Sequence, residues 1–333
     1  FFSPSSVAHG GPSLMGEPNA SRPHPTSAAL MVCTYRRPQA FAKLVATIAT
    51  LDIPKGLAFS IVVADNNRES AWGSYIQAPL ASLPWPVHYG HEPEPGYSNA
   101  RNAAIKVALE RTDAEILLFV DDDMLLSQGW LAGHLASHVE FGCDVVNGRI
   151  SGVRERFPHG AKLQKCGAGN VSFNRRLVAA NGLGLRFDPA FNATGMEDQA
   201  FFGRAVALGV DIRQSDHPLI YNYYGDGPPP EEEIVNKMLV TGGMQQNLVA
   251  RARQEKGVVP AAMLASKGLL FGGKALGLAG LSRLQRLLGR PDEARRSELS
   301  AQKERLKMSG RFRGFSGRMV SRQEVRRGDT DGA

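Results

Sequence analysis

Residues 116–123 read ILLFVDDD, and this stretch indicates the fold class of the chain. A short apolar run without alternation is typical of a strand that is buried on both faces of a sheet. Three aspartates follow the run directly. Ligands of open α/β sheets bind outside the carboxyl ends of the strands, so we expect Asp121, Asp122 and Asp123 to lie at a functional edge.

Strand and helix patterns alternate on both sides of this stretch. Apolar runs and helical periodicity predict strands at 29–35, 59–66, 87–92, 167–174 and 219–224, and helices at 38–51, 97–112, 130–141, 195–209 and 231–256. This order predicts an α/β domain with a mostly parallel sheet flanked by helices.

Composition limits the class of protein. The chain has 333 residues, of which 43% are hydrophobic, enough for a sizeable core and too many for a disordered chain. Its cysteines, Cys33, Cys143 and Cys166, lie far apart, which disfavours a disulfide scaffold or a cysteine zinc site and favours a reducing, cytoplasmic compartment. No apolar run reaches the roughly 18–20 residues of a spanning helix, and residues 1–27 show no targeting pattern.

Charge divides the chain in two. Residues 1–250 hold 20 Lys and Arg against 24 Asp and Glu, whereas residues 251–333 hold 19 against 8. We therefore expect a disordered arm at 1–27, a main domain at 28–250 and a basic helical extension at 251–333, partly disordered at its end.

The basic extension predicts an anionic partner. Residues 258–318 combine a weakly amphipathic apolar stretch with many cations, which favours peripheral binding to the inner face of the cell membrane. The alternative is a helical subdomain with a solvated basic face. Nucleic acid is disfavoured, because only Phe312 and Phe315 follow Phe271 as aromatic residues for stacking on bases.

The three aspartates point to metal chemistry. Adjacent carboxylates repel each other unless a cation or hydrogen-bond donors compensate, and hard oxygen ligands suit Mg²⁺ or Mn²⁺ shared with substrate phosphates. The alternative is an acidic turn that caps the following helix.

Two further carboxylate groups accompany them. Asp65 ends the second predicted strand, where it could accept hydrogen bonds from a base or ribose, or simply form an Asx turn. Glu197 and Asp198 begin a predicted helix, where they could supply a general base or only cap the helix. His134 and His138 are expected to lie on a solvated or packed helix face rather than to bind a metal, and His217 to be an ordinary surface histidine.

Six motifs in a fixed order resemble those of family 2 glycosyltransferases, closest to bacterial exopolysaccharide enzymes of the succinoglycan type. They are CTYRRP at 33–38, VVADNN at 62–67, SNARNAAI at 98–105, LLFVDDD at 117–123, GAGN at 167–170 and GMEDQAFF at 195–202. The resemblance covers about residues 28–250. It implies a GT-A type, Rossmann-like fold with a mixed, mostly parallel sheet, a nucleotide-sugar donor such as UDP-glucose, a divalent metal and inversion at the anomeric carbon.

The resemblance also implies roles for single residues. Asp123 would be the main metal ligand, Asp198 the catalytic base, and Glu197 would orient the acceptor or support that base. The donor would be bound by Thr34, Tyr35, Arg36, Asp65 and Arg101, with Asp121 and Asp122 facing the nucleotide sugar and Asp121 also near the metal.

The acceptor implied is a saccharide or a lipid-linked saccharide. The sequence departs from similar enzymes at Asn222 and at Glu231, Glu232 and Glu233, near the expected acceptor or diphosphate. Two other functions stay open: a sugar nucleotidyltransferase, although 33–38 lacks the glycine-rich loop that would hold a triphosphate, and a non-catalytic scaffold that binds an anionic partner through the tail.

Overall fold

The computed structural model describes residues 23–152, 157–192, 195–223, 231–256, 258–316 and 320. The strands are β1 (Ser27–Thr34), β2 (Ala58–Asp65), β3 (Val87–His91), β4 (Ile116–Asp121), β5 (Met124–Leu126), β6 (Val145–Ile150), β7 (Asn170–Asn174) and β8 (Ile212–Asn222). The helices are α1 (Pro38–Ile48), α2 (Gln77–Leu80), α3 (Tyr97–Arg111), α4 (Trp130–Phe141), α5 (Glu197–Ala207), α6 (Glu231–Lys256), α7 (Val258–Ser266), α8 (Gly268–Leu287) and α9 (Pro291–Gly314).

The eight strands form one mixed sheet in the order β3-β2-β1-β4-β7-β6-β8-β5. The first four are parallel, β7 is antiparallel to β4 and to β6, and β8 is parallel to β6 but antiparallel to β5. In this register Thr34 lies beside Asp65, and Cys33 lies beside Asp121. The polar ends of β1, β2 and β4 therefore meet at one edge.

Helices cover both faces of the sheet. Met31 and Phe119 point to a core on the α3 and α5 side, whereas Leu30 and Val32 point to a core on the α1 and α4 side. Because the side chains of β1 and β4 are buried on both faces, these strands require unbroken apolar runs. That requirement explains why ILLFV could be recognised as a central strand.

Helices α6 to α9 form a separate packing arrangement in which α9 lies along α6 and α8. Helix α6 is continuous through residue 250. Within the described residues, no helix combines the length and the apolar character needed to cross a membrane.

The predicted mixed, mostly parallel sheet flanked by helices is confirmed. The strand expected at 167–174 begins only at Asn170, the one expected at 219–224 begins earlier, at Ile212, and β5 and β6 were not predicted. In its described part, the expected extension contains the end of α6 together with α7, α8 and α9. Residues 1–22 of the expected arm, and 317–319 and 321–333 at the end, lie outside the described residues, while Ser27 already belongs to β1.

Candidate active site

The turn after β1 is held in an unusual conformation. Arg36 has a φ of +54°, in the left-handed region that non-glycine residues seldom adopt. Its backbone N–H donates to Asn67 Oδ1 at 3.1 Å and to the Tyr75 hydroxyl at 3.1 Å. Thr34 is buried at the strand end, while Tyr35 is exposed and carries the Arg36 guanidinium 5.2 Å above its ring. The turn therefore presents an aromatic ring and a cation to solvent at the sheet edge.

Asp65 is buried and fully engaged in holding the loop that follows β2. Its Oδ1 accepts from the Asn67 backbone at 3.0 Å and side chain at 2.7 Å, and its Oδ2 accepts from the Ala71 N–H at 2.6 Å and the Tyr89 hydroxyl at 2.8 Å. The Asx turn left open as an alternative is thus present. The predicted contact of Asp65 with a base or ribose stays a prediction.

Asp122 and Asp123 share one cation. Arg37 Nη1 donates to Asp122 Oδ1 at 3.0 Å and to Asp123 Oδ2 at 2.7 Å. Asp122 is buried, and burial raises its pKa to about 6 against the opposing attraction of Arg37. Asp123 is 29% exposed and so remains accessible from solvent.

Arg101 links three elements across the site. From α3 its guanidinium donates to Asp121 Oδ1 of β4 at 3.3 Å and to Glu197 Oε1 of α5. Arg101 and Glu197 are both buried, and the guanidinium lies 5.7 Å from the centre of the Phe187 ring. Burial raises the pKa of the Glu197 carboxyl, Arg101 opposes that shift, and the neighbouring Asp198 adds to it.

Helix α5 begins in a strained turn that brings Asp198 to the same edge. Gly195 and Met196 both have positive φ, at 73° and 77°. Asp198 is half-buried, and a Cβ added at Gly167 would lie 3.4 Å from its Oδ2. A Cβ added at Gly169 would lie 2.8 Å from Asp121 Oδ2, closer than such contacts allow. The close approach to Asp121 therefore explains the glycine at position 169 of the GAGN motif, while Gly167 brings the same segment beside Asp198.

These carboxylates suit a divalent cation only in part. Their oxygens are the hard ligands that Mg²⁺ and Mn²⁺ prefer, and Asp121 and Asp123 are the accessible ones. Within the described chain, however, they do not bring three ligand atoms together on one point. A metal here needs further oxygen ligands, which the diphosphate of a bound nucleotide can supply.

The structure thus gathers Thr34, Tyr35, Arg36, Asp65, Arg101, Asp121, Asp122, Asp123, Glu197 and Asp198 around the carboxyl edge of the parallel strands. Sequence reasoning missed Arg37 and Tyr75. Arg37 lies inside CTYRRP, but sequence alone does not say which arginine turns toward the aspartates. Tyr75 lies in a short π-helical turn (Trp72–Ile76) that carries no recognisable pattern.

One departure from similar enzymes also lies here. Asn222 ends β8 opposite Met124, and the Tyr223 N–H donates to the Asp123 carbonyl oxygen at 2.8 Å. The segment in which the sequence departs from similar enzymes therefore starts beside Asp123. Residues 224–230 lie outside the described residues, so the glutamates at 231–233 are placed only as the start of α6.

The histidines lie away from this edge, as expected. His134 and His138 are buried between α4 and β7, and both bond to the Ser172 hydroxyl at 2.9 Å. His217 is 56% exposed and stacks edge-on against His159. His159 Nδ1 accepts the Asp216 N–H at 3.2 Å, which leaves Nε2 to donate to Glu140 at 3.0 Å. Hydrogen bonds therefore join His159 to Glu140 and to the Asp216 backbone, whereas His217 reaches this surface cluster through its ring contact.

Comparisons with known proteins agree with this architecture. The family model described as glycosyl transferase family 2 matches residues 29–196, half of the chain. The succinoglycan biosynthesis protein ExoM of Rhizobium meliloti (strain 1021) is 28% identical over 214 residues. That match spans 60% of this chain and 66% of ExoM, slightly less than two thirds of its length.

Solved structures match over most of the chain. The mannosyltransferase PcManGT from Pyrobaculum calidifontis, solved with GDP-Man and Mn²⁺, has a TM-score of 0.55 at 15% identity, covering 85% of this chain and 91% of that one. S. aureus TarS 1–349 has a TM-score of 0.48 at 17% identity, covering 83% and 89%. The likeness to PcManGT confirms the GT-A type of fold.

Proposed function

This chain belongs to glycosyltransferase family 2, and from that premise we propose that it is a metal-dependent, inverting hexosyltransferase of surface or exopolysaccharide synthesis. Its donor would be a nucleotide sugar, and its acceptor a saccharide or lipid-linked saccharide. The observation that carries the proposal is the Arg101 link, which joins the strand-end Asp121 to the acidic start of α5. One edge thereby holds both a cation-binding group and a candidate base.

The relatives support the chemical class of the substrates. ExoM is named for succinoglycan biosynthesis, and PcManGT was solved with a nucleotide sugar. Family membership favours glycosyl transfer over a sugar nucleotidyltransferase or a non-catalytic scaffold. UDP-glucose is our choice of donor.

Asp123, with Asp121, would hold the metal. A bound Mn²⁺ or Mg²⁺ would neutralise the diphosphate leaving group and orient the donor. The protein's own cations add to this field: Arg37 already lies against Asp122 and Asp123, and Arg101 lies against Asp121. The exposed Tyr35 ring and the Arg36 guanidinium offer a surface on which the nucleotide can stack.

Asp198 is the proposed general base. It would take the proton from an acceptor hydroxyl while that oxygen attacks the anomeric carbon from the face opposite the leaving diphosphate. Glu197 is already paired with the buried Arg101, so it is less free to accept a proton and instead fixes the start of α5. Its role is therefore to position Asp198.

The basic extension would bring the enzyme to an anionic surface. Residues 251–333 carry an excess of Lys and Arg, and this positive charge favours binding to the anionic lipids on the inner face of the cell membrane. Such a location would suit a lipid-linked acceptor.

The test is a panel of nucleotide sugars, with release of nucleoside diphosphate measured with Mn²⁺ and with EDTA. We expect one donor to be turned over and to raise the Tm in the presence of Mn²⁺, since a ligand of the folded state must stabilise it. Asp123→Ala should lose both effects, while Asp52→Ala, on an exposed loop, should keep them. Full turnover in EDTA would overturn the metal role, and neither binding nor turnover of any donor would overturn the function.

A further inference from the structure

Helices α7 and α8, together with Leu288 directly after α8, expose an unusual number of large apolar side chains. Ten of them, each 44% to 84% exposed, form what we call the apolar face: Val258, Val259, Met263, Leu269, Leu270, Leu276, Leu281, Leu284, Leu287 and Leu288. At about 100° per residue, the members on α8 fall within an arc of roughly 140°. Exposed apolar side chains gathered on one side of a helix mark an interaction site.

The interior of the same bundle combines small apolar residues, such as Ala265 and Ala275, with buried polar groups. Glu304 of α9 is buried and bonds to Lys274 at 3.3 Å and to Lys307 at 3.0 Å. Ser282 donates to the Ala294 carbonyl oxygen at 2.8 Å, and Ser297 donates to Gln285 at 2.8 Å. Hydrogen-bonded polar groups and alanines therefore lie on the inner side of the bundle, while leucines lie on its outer side.

Glycines let the helix backbones approach closely. Added Cβ atoms at Gly310 and Gly314 of α9 would collide with α6, and one at Gly272 of α8 would lie 2.6 Å from Met308 Sδ. Gly268 and Gly272, and again Gly310 and Gly314, are spaced four residues apart. Small residues at this spacing let neighbouring helices pack closely, so the inner side of α8 is fully used by the bundle and the leucines are left on its outer side.

Cations border the apolar face. On the α8 arc, the exposed Lys267 lies on one side of the leucines and the exposed Arg283 on the other. In-plane helices at a membrane surface place cations in this way, with the apolar side chains in the acyl boundary and the charges at the head groups. Charge complementarity thus points to an anionic lipid surface.

We propose that the apolar face of α7 and α8 inserts into one leaflet of an anionic bilayer, with Lys267 and Arg283 at the head groups. The inference rests on the proposed attraction of the extension to anionic membranes, and it names the helices and the face that make the contact. The inner side, packed on α9, stays out of the lipid. Helices α7 and α8 lie on the leaflet and do not cross it.

The first experiment uses the full chain and vesicles of phosphatidylcholine with or without phosphatidylglycerol. The variant L270Q/L276Q/L284Q should lower partitioning into the anionic vesicles by about tenfold or more, since three exposed leucines that would enter the acyl chains are lost. L208Q, at an exposed leucine just after α5, is the matched control and should bind like the parent. Unchanged donor turnover and far-UV circular dichroism would show that the triple variant folds.

A second variant separates this inference from the charge proposal. K267Q/R283Q should weaken binding mainly at low salt. If it does so while the leucine variant binds like the parent, the apolar face is overturned and the charge proposal stands. If the parent ignores anionic vesicles at low salt, both fail. If the leucines instead govern self-association without lipid, the face is a protein interface and the inference is also overturned.

The depth to which the apolar face enters the bilayer is measured by quenching of tryptophan fluorescence. Leu276→Trp should be quenched by brominated lipid acyl chains, whereas Leu208→Trp should not. Equal quenching at the two positions, or none at position 276 with vesicles bound, would overturn the insertion of this face.

Discussion

Asp123 and Asp122 share Arg37, and this sharing has a consequence for metal binding. A metal at Asp123 would compete with the guanidinium, which now lies 2.7 Å from its Oδ2. In Arg37→Gln the carboxylates repel one another more strongly, so we expect a lower Tm without metal and a larger rise in Tm on adding Mn²⁺. Thermal melts across an Mn²⁺ titration measure both effects, and Arg36→Gln is the matched control. A smaller Mn²⁺ effect in Arg37→Gln would mean that Arg37 assists the metal.

Asp198 and Glu197 are adjacent but lie in different surroundings. Asp198→Asn keeps the size of the side chain and removes the proton acceptor, so turnover should fall by about 10²-fold or more with donor affinity nearly unchanged. Steady-state kinetics and donor titration by Tm separate the two quantities. In Glu197→Gln the ion pair with Arg101 is lost, so we expect the Tm of this variant to fall in addition to its turnover. Near-normal turnover in Asp198→Asn would exclude it as the base.

At the scale of elements, Arg101 ties α3 to β4 and α5. Arg101 and Glu197 have side chains only 10% and 6% exposed, so removing one partner leaves a buried charge without its counterion. We expect Arg101→Met to lower the free energy of unfolding by about 3–5 kcal/mol. Adding Glu197→Met should restore part of the loss, because both charges are then gone. Urea unfolding of the parent, the two single variants and the double variant measures the coupling energy between Arg101 and Glu197. If the losses in the free energy of unfolding are additive, the two side chains do not form a direct pair.

Helix α4 is fixed to β7 through a neutral histidine. Burial lowers the pKa of His134 from 6.5 to about 3, and its nitrogens bond to Asn170 at 3.0 Å and Ser172 at 2.9 Å. Below pH 6.5 the unfolded chain takes up a proton at this residue and the folded chain does not. Stability should therefore fall by about 2 kcal/mol between pH 6.5 and 5 and continue to fall toward pH 3.

The measurement is urea unfolding of the parent and His134→Gln at pH 7 and pH 5. At pH 7 the variant should have a lower free energy of unfolding than the parent. Between pH 7 and pH 5, however, its free energy of unfolding should fall by less than that of the parent. His24→Gln, at an exposed position, should follow the parent. A variant as acid-sensitive as the parent would show that His134 does not carry this dependence.

Sequence could predict these central elements because their signals are local. ILLFV is apolar throughout since β4 is buried on both faces, and the aspartates after it mark the strand end. Strands β5 and β6 carry no such signal: β5 has three residues, and β6 contains Asn147, Gly148 and Arg149 within VVNGRI. Their pairing with β8 depends on contacts far apart in sequence.

The site divides in the same way. Residue types at strand ends were enough to select Asp65, Asp121 and Asp123 as site residues. The side chains that pair with the site carboxylates could not be identified from the sequence. Arg37 pairs with carboxylates 85 and 86 positions away, and Arg101 with Glu197 96 positions away. Such pairs depend on the fold as a whole.

At the scale of the whole molecule, the expected boundary at residue 250 falls within α6. The inner side of that helix is covered by the extension: Asn247 is buried and exchanges two hydrogen bonds with the Val320 backbone, at 2.9 and 2.7 Å, and Gly242 lies against Gly310. We therefore propose that the extension begins with α6 and that the sheet domain ends with β8.

This division predicts how shortened chains behave. A chain ending at Tyr223 should keep the complete sheet. A chain ending at Ala250 should be cut within α6, at Lys237, because Gln246, Asn247 and Val249 lose the partners that bury them. Mass spectrometry of the digests locates the cuts, and urea melts should give both shortened chains the same unfolding midpoint for the sheet domain. If trypsin does not cut at Lys237 in the chain ending at Ala250, α6 is stable without the residues that follow it. That result would assign α6 to the sheet domain and contradict the proposed boundary.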